Sequence, residues 1–299
     1  MTAPLRDAAT GGALPASRTR LRGARTLLRD KAAFIGLTLL VVITLASILR
    51  PLIAPAGPDR SDFLHTLEGP SLRHLLGTDE LGRDELARLL QGARLSLGLA
   101  AVAALCSAAI GLALGLVAGF LGGLADMAIM RVVDALQALP GLILALAVAG
   151  LLGAGIVNIV IAVVLVWWTG YARVVRSMVL SVRERQYVDA ARGMGATRRW
   201  LVVRHVLPNV IGPAVVLASL EMAQILLALA ALSFLGLGVT PPTPEWGTML
   251  ASARDNLDRD PLLVILPGVA ITLAAVACNL VGDGLRDALD PRLQRDVIR

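Results

Sequence analysis

The segment from Asp189 to Pro208 has the residue types and spacing for docking against another protein. The residues that make up this pattern are Asp189, Ala190, Ala191, Gly195, His205, Leu207 and Pro208. The two alanines favour a helix, and their small side chains allow a partner to approach closely. Gly195 can adopt a positive φ that ends a short helix, and Pro208 is tolerated in the first turn of the next one. The pattern predicts a short docking helix, and the alternative is an amphipathic segment without a partner.

A second residue of interest is Glu221, which is the only charged residue between Val206 and Pro244. It follows about a dozen apolar residues, so in a membrane-spanning helix it lies near the middle of the bilayer. A carboxylate that faces lipid there costs several kcal/mol. We therefore expect Glu221 to line a translocation path, with Gln224 and Asn158 as further candidates, and the alternative is a structural hydrogen bond between helices.

The sequence also excludes one kind of chemistry. Its single lysine, Lys31, is not part of a G-x-x-x-x-G-K-[ST] phosphate-binding loop, and that loop needs its lysine to hold the phosphates of ATP. An ATP-driven function would therefore need a second protein. We predict that this chain has no catalytic residue, no metal site and no bound cofactor.

The elements that position these residues are membrane-spanning helices. The chain has 299 residues, of which 56% are hydrophobic and only 17% charged, whereas soluble domains average about 25% charged. Four uncharged runs and one interrupted by Glu221 are long enough to cross a bilayer in about 20 residues per helix. These runs are 32–49, 95–125, 135–172, 206–244 and 261–282. We expect the run 135–172 to form two helices broken near 150–155, which gives six spans and an all-α polytopic membrane protein.

The arginine distribution predicts the orientation of these spans. Six arginines and Lys31 precede the first run, and residues 173–204 hold eight arginines and two acids. The segments 51–94 and 240–260 carry more acids than arginines. Because positive loops stay cytoplasmic, both termini and the Asp189 loop are expected on the cytoplasmic side. The net charge of +6 then reflects the orientation of the chain in the membrane. Nucleic-acid binding is not expected, since the basic residues flank the spans.

Four motifs in order resemble the inner-membrane permeases of ABC importers, of the dipeptide, oligopeptide and nickel "C" type. The segment 189–208 resembles their EAA loop, with Asp189 in place of the usual Glu. The other three are HLLGTDELGRD at 74–84, LSFLGLG at 232–238 with PPTPEWG at 241–247, and GDGLRDALDPR at 282–292. Together they cover most of the chain.

The resemblance implies the type I importer permease fold and a division of the chain. Its parts are a cytoplasmic tail 1–31, a first transmembrane helix 32–50, an external segment 51–93, a five-helix ABC transmembrane type-1 domain 94–283 containing the EAA coupling loop 183–209, and a cytoplasmic tail 284–299. In the outer loop, Glu245 and Trp246 are the candidates for facing a solute-binding protein.

The resemblance also implies partners and a mechanism. The partners are a second homologous permease, two ATPase subunits that bind ATP and Mg, and an external or periplasmic solute-binding protein. The Asp189 loop would carry ATP-driven motion to a bundle in the bacterial cytoplasmic membrane. Peptides are the expected solutes, with nickel chelates or glutathione as related options. An ion-gradient-driven secondary transporter and an assembly protein without a transport role remain the alternatives.

Four further features of the sequence each lead to an expectation about local structure. Asp79, Arg83 and Asp84 are interpreted as an ion-paired cap of the second span rather than a solvated loop. Trp167 and Trp168 are interpreted as an interfacial belt. Arg131 and Asp134 are one helical turn apart and are expected to pair, and Pro140 is expected to kink the third span.

Overall fold

The computed structural model describes residues 30–289, which contain helices and no β-strand. Two helices, α1 (Lys31–Ile48) and α2 (Arg50–Ile53), precede a loop segment. The central helices are α3 (Glu85–Leu121), α4 (Gly123–Gln137), α5 (Gly141–Leu152) and α6 (Ile156–Arg183). The remaining helices are α7 (Gln186–Gly193), α8 (Arg198–Leu201), α9 (Leu207–Phe234), α10 (Trp246–Ala253) and α11 (Leu262–Leu289), with a π-helical stretch Val202–Val206 joining α8 to α9.

Five helices in the described part of the chain are long and apolar enough to cross a membrane. They are α1, α3, α6, the continuous stretch Arg198–Phe234, and α11. The helices α4 and α5 together form a sixth segment if they count as one broken span. The expected break in run 135–172 is confirmed, because α5 ends at Leu152 and α6 begins at Ile156.

The third span departs from the expectation of a proline kink. The helices α4 and α5 are separate and differ in direction by 88°. Pro140 precedes the first residue of α5, where its missing N–H costs no helical hydrogen bond. The second span differs too, since α3 begins at Glu85, well before the apolar run.

Three glycines spaced by four residues bring α3 and α6 into close contact. A Cβ added at Gly111, Gly115 or Gly119 would lie within 2.8 Å of the Cβ atom of Tyr171, Val175 or Val179, respectively. Small residues at this spacing let membrane helices approach to backbone contact, where dispersion forces hold them together. Val175 and Val179 are fully buried, so this contact joins the second and fourth spans.

Two of the smaller sequence expectations are wrong. Asp134 accepts a hydrogen bond from Arg173 at 2.7 Å across to α6, rather than pairing with Arg131, because α4 lies against α6. Trp168 is buried against Val133 and Ala172, so it is a core residue and not part of an interfacial belt.

Candidate functional site

The loop 183–209 folds as two short helices that leave the fourth span and enter the fifth. The helix α7 ends at Gly193, and Gly195 has the expected positive φ of 86°. Thr197 then caps α8, because its hydroxyl accepts a hydrogen bond from the backbone N–H of Trp200 at 3.3 Å. Leu207 and Pro208 follow the π-helical stretch within the continuous helix Arg198–Phe234, so Pro208 does not start a new helix, contrary to the expectation.

The two alanines of the loop have different surroundings. Ala191 is buried with Val188 and Leu201 in a small apolar core between α7 and α8. Ala190 is exposed, as is Asp189, which accepts a hydrogen bond from Arg192 at 3.2 Å. Only Ala190 is therefore free for close approach by a partner, while Ala191 holds the two short helices together.

His205 organises an aromatic cluster that sequence reasoning missed. Its ring lies 4.9 Å from the ring of Trp200 in an edge-to-face arrangement and 5.6 Å from that of Tyr187. Aromatic pairs at this separation are worth about 0.5–1.5 kcal/mol beyond their buried area. The cluster holds α7 against the start of the fifth span. Tyr187 and Trp200, two aromatic residues inside a charged segment, were the sequence signal that could have revealed it.

An open cavity of about 370 Å³ lies beside this cluster. It is lined by Ala191, Met194, Gly195, Ala196, Thr197 and Trp200. Met194 is 82% exposed and Trp200 is 48% exposed. Exposed apolar residues gathered around a concavity are typical of a protein-binding surface.

The loop is connected to the second span by two residues that the sequence patterns did not single out. Arg183 donates hydrogen bonds to the carbonyl oxygens of Gly119 and Phe120 at 3.3 and 3.1 Å, where a cation stabilises the C-terminal end of α3. The Phe120 ring packs against the small core of the loop and also against the Val175–Val179 cluster. The loop is thereby in direct contact with the α3–α6 pair.

A second cavity, of about 490 Å³, lies next to the break between α4 and α5. Glu221 and Gln224 line it together, one turn apart on α9. Glu221 is the fifteenth of the 28 residues of α9, so it lies about 20 Å from either end of the helix. Its buried Oε2 atom has no hydrogen-bond partner. Within residues 30–289 no hydrogen bond joins Glu221 to another helix, although the buried Tyr171 hydroxyl, which also lacks a partner, interacts with it electrostatically.

Asn158 is not part of this cavity. Its amide donates to the carbonyl oxygens of Leu152 and Gly153 at 2.9 and 3.1 Å, and so it closes the turn between α5 and α6. It precedes Gly170, a cavity residue on the same helix, by twelve positions, or about 18 Å. The structure therefore does not bring the three predicted path residues together.

Glu245 and Trp246 do not face outward, contrary to the sequence expectation. They are 2% and 1% exposed. Glu245 accepts hydrogen bonds from the Ser96 hydroxyl at 2.9 Å and from the backbone N–H of Thr248 at 3.0 Å, which caps α10. The Trp246 indole donates to the Leu89 carbonyl at 3.0 Å. Through these hydrogen bonds both residues hold α10 against α3. Buried carboxylate and indole groups need hydrogen-bond partners of this kind.

The segment before α3 contains an ion-paired cap, as predicted. The Asp84 side chain accepts from the Ala87 N–H at 2.7 Å and contacts His74 Nδ1 at 2.8 Å. Asp79 accepts from Arg83 Nε at 2.6 Å. Partial burial raises the pKa of the neighbouring Glu80, whose carboxylate accepts a hydrogen bond from Asn256 at 2.9 Å. This last contact joins the segment before α3 to the segment after α10.

The comparison with known families identifies the class of protein. Residues 111–295 match the family of binding-protein-dependent transport system inner membrane components. Residues 19–70 match the N-terminal transmembrane domain of oligopeptide transport permease C. The chain belongs to this family of transport permeases and has its type I fold. It is a multi-pass membrane protein.

Individual relatives narrow the class to the peptide type. The chain is 48% identical over 271 residues to the di/tripeptide transport system permease protein of Pseudomonas aeruginosa, with 89% of each chain covered. It is 42% identical over 270 residues to the glutathione transport system permease protein of Pectobacterium atrosepticum, with 90% of each covered. A putative peptide permease protein of Brucella suis is 42% identical over 287 residues, or 95% of each. The chain is therefore a permease of the dipeptide and oligopeptide type.

Proposed function

We propose that the chain is one permease subunit of an ATP-driven importer for di- and tripeptides or glutathione in the bacterial cytoplasmic membrane. The observation that carries the proposal is the loop 183–209, with its exposed Ala190 and its apolar cavity at Met194 and Trp200. A surface of this kind fits a protein partner of matching shape. The partners are a second homologous permease, two ATPase subunits that bind ATP and Mg, and an external solute-binding protein.

The proposed mechanism is alternating access. Closure of the two ATPase subunits moves the loop, and the contacts of Arg183 and Phe120 with α3 carry that movement into the bundle. Solute released by the binding protein passes the cavity at Glu221 and Gln224. Both termini and the loop are proposed to be cytoplasmic, since these segments are rich in arginine. This chain performs no covalent chemistry in the scheme. Nickel chelates are a less favoured solute, since the relatives are named for peptides and glutathione.

The test compares two glycines of the loop. Gly195 has a φ of 86°, whereas Gly193 has ordinary helical geometry, and a Cβ would have open space at either position. Valine at Gly195 costs about 1–2 kcal/mol of backbone strain, and 1.4 kcal/mol is about a tenfold change in a docked population. We expect Gly195→Val to lower peptide uptake and peptide-stimulated ATP hydrolysis about tenfold, and Gly193→Val to change them less.

The first measurement is co-purification with a tagged chain. An ATPase that purifies with the wild-type chain and supports uptake would confirm the proposal. An ion-gradient-driven transporter or an assembly protein would purify without one. Equal uptake by the two valine variants would contradict the role of the loop, even if an ATPase is present.

A further inference from the structure

The Glu221 carboxyl group has no charged partner in its cavity. No basic residue is among the described residues that line it. The arginines of the adjacent part of α6 are engaged elsewhere, since Arg173 pairs with Asp134 and Arg176 pairs with Asp126. An uncompensated carboxylate in an apolar site is costly unless a cation accompanies it. The cavity is therefore complementary to a positive group.

The other polar groups of the cavity are mainly acceptors or amides. The Gln137 amide donates to the Thr169 hydroxyl oxygen at 3.2 Å, and that hydroxyl donates to the Val166 carbonyl at 2.7 Å. These contacts leave the Gln137 carbonyl oxygen available, and Gln224 has a complete side-chain amide beside Glu221. Carbonyl and carboxylate oxygens together suit an ammonium group that has several N–H donors.

The apolar wall of the cavity suits the remainder of a small peptide. Leu139, Val166 and Trp167 lie along it, next to the break between α4 and α5. The volume of about 490 Å³ falls within the roughly 300–1,000 Å³ of small-molecule sites. A Cβ at Gly170 would lie 3.7 Å from Glu221 Oε1, so a small residue at this position leaves room around the carboxylate.

We propose that this cavity binds the α-ammonium group of a di- or tripeptide, with the Glu221 carboxylate as its counter-charge and Gln137 and Gln224 as neutral hydrogen-bond partners. The assignment rests on the proposed function and adds a selection step within the membrane. Peptides with a free amino terminus would be retained at mid-membrane, and peptides with a blocked one would not.

The experiment measures binding to the purified complete transporter in nanodiscs, without the solute-binding protein. Radiolabelled alanyl-alanine and its N-acetyl derivative are the two probes in equilibrium dialysis. We expect the Kd of the free dipeptide to be about tenfold lower, which corresponds to about 1.4 kcal/mol. Glu221→Gln should bring the ratio of the two Kd values close to one. Glu68→Gln, which changes an exposed carboxylate in the segment before α3, should leave the ratio unchanged.

Glu221→Asp keeps the charge and should preserve most of the preference, which guards against a folding defect in the Gln variant. A wild-type ratio near one, or a ratio unchanged in Glu221→Gln, would overturn the assignment. Loss of the second permease from Glu221→Gln but not from Glu221→Asp would place the counter-charge on that subunit and would also overturn it. ATP-dependent uptake of alanyl-alanine by wild-type proteoliposomes separates these failures from failure of the proposed function.

Discussion

Replacing Gly115 by leucine tests whether the contact between α3 and α6 stabilises the bundle. A Cβ at this position would lie 2.7 Å from the Ala172 carbonyl oxygen, 2.7 Å from Val175 Cβ and 2.8 Å from Val175 Cγ1. Ordinary van der Waals contact begins at 3.4 Å, so each distance is too short by about 0.6–0.7 Å. The carbonyl oxygen belongs to the backbone and cannot rotate away, so the helices have to separate.

The magnitude follows from overpacking. Extra carbons in a well-packed interior cost about 1–3 kcal/mol, and leucine adds three carbons beyond its Cβ, so we expect a loss near the upper end, about 3 kcal/mol. Gly98 on the same helix is exposed and has no atom within 4 Å of a built Cβ. Leucine is a better helix former than glycine by up to about 1 kcal/mol, so Gly98→Leu should be neutral or stabilising.

The assay is reversible unfolding of the purified chain by SDS in mixed micelles. The two variants should differ by about 3 kcal/mol in their free energy of unfolding, because both replace a helical glycine by leucine and the helix-propensity gain cancels between them. Equal midpoints for the two variants would refute the idea that close approach at Gly115 holds the spans together.

Two further predictions concern the external loops and the orientation. Glu245→Leu should lower the free energy of unfolding by about 3 kcal/mol, since Ser96 and the first turn of α10 lose a charged partner, and the exposed Glu68→Leu should change it by less than about 0.5 kcal/mol in the same SDS titration. Cysteines at Thr66 and Asp258 should react with an impermeant maleimide in intact cells, whereas one at Ser181 should react only after lysis. Labelling of Ser181 from outside would contradict the six-span arrangement.

Features that depend only on local chemistry could be predicted from the sequence. The positive φ at Gly195 follows from what glycine does to the backbone wherever it occurs. Asp84 caps α3 because its side chain reaches an N–H three residues away. Such features need only neighbouring residues, so no knowledge of the other helices was required.

The burial and the contacts of a side chain could not be predicted from the sequence in the same way. Glu245 and Trp246 follow a proline-rich loop and have the composition of an exposed surface, yet both are buried against α3. Their partners Ser96 and Leu89 are about 150 residues away in the chain. Asn158 and Glu221 are polar residues within apolar runs, but one closes a turn and the other lines a cavity.

The sequence by itself determined the apolar runs, the class of protein and the loop that interrupts those runs, because hydrophobic length and local backbone preference are properties of contiguous residues. Only the tertiary structure decided that Ala191 faces inward while Ala190 is exposed, and that the break between α4 and α5 lies beside Glu221. It also decided that Arg173 pairs with Asp134. These outcomes depend on which helices are neighbours, and packing between distant segments sets that arrangement.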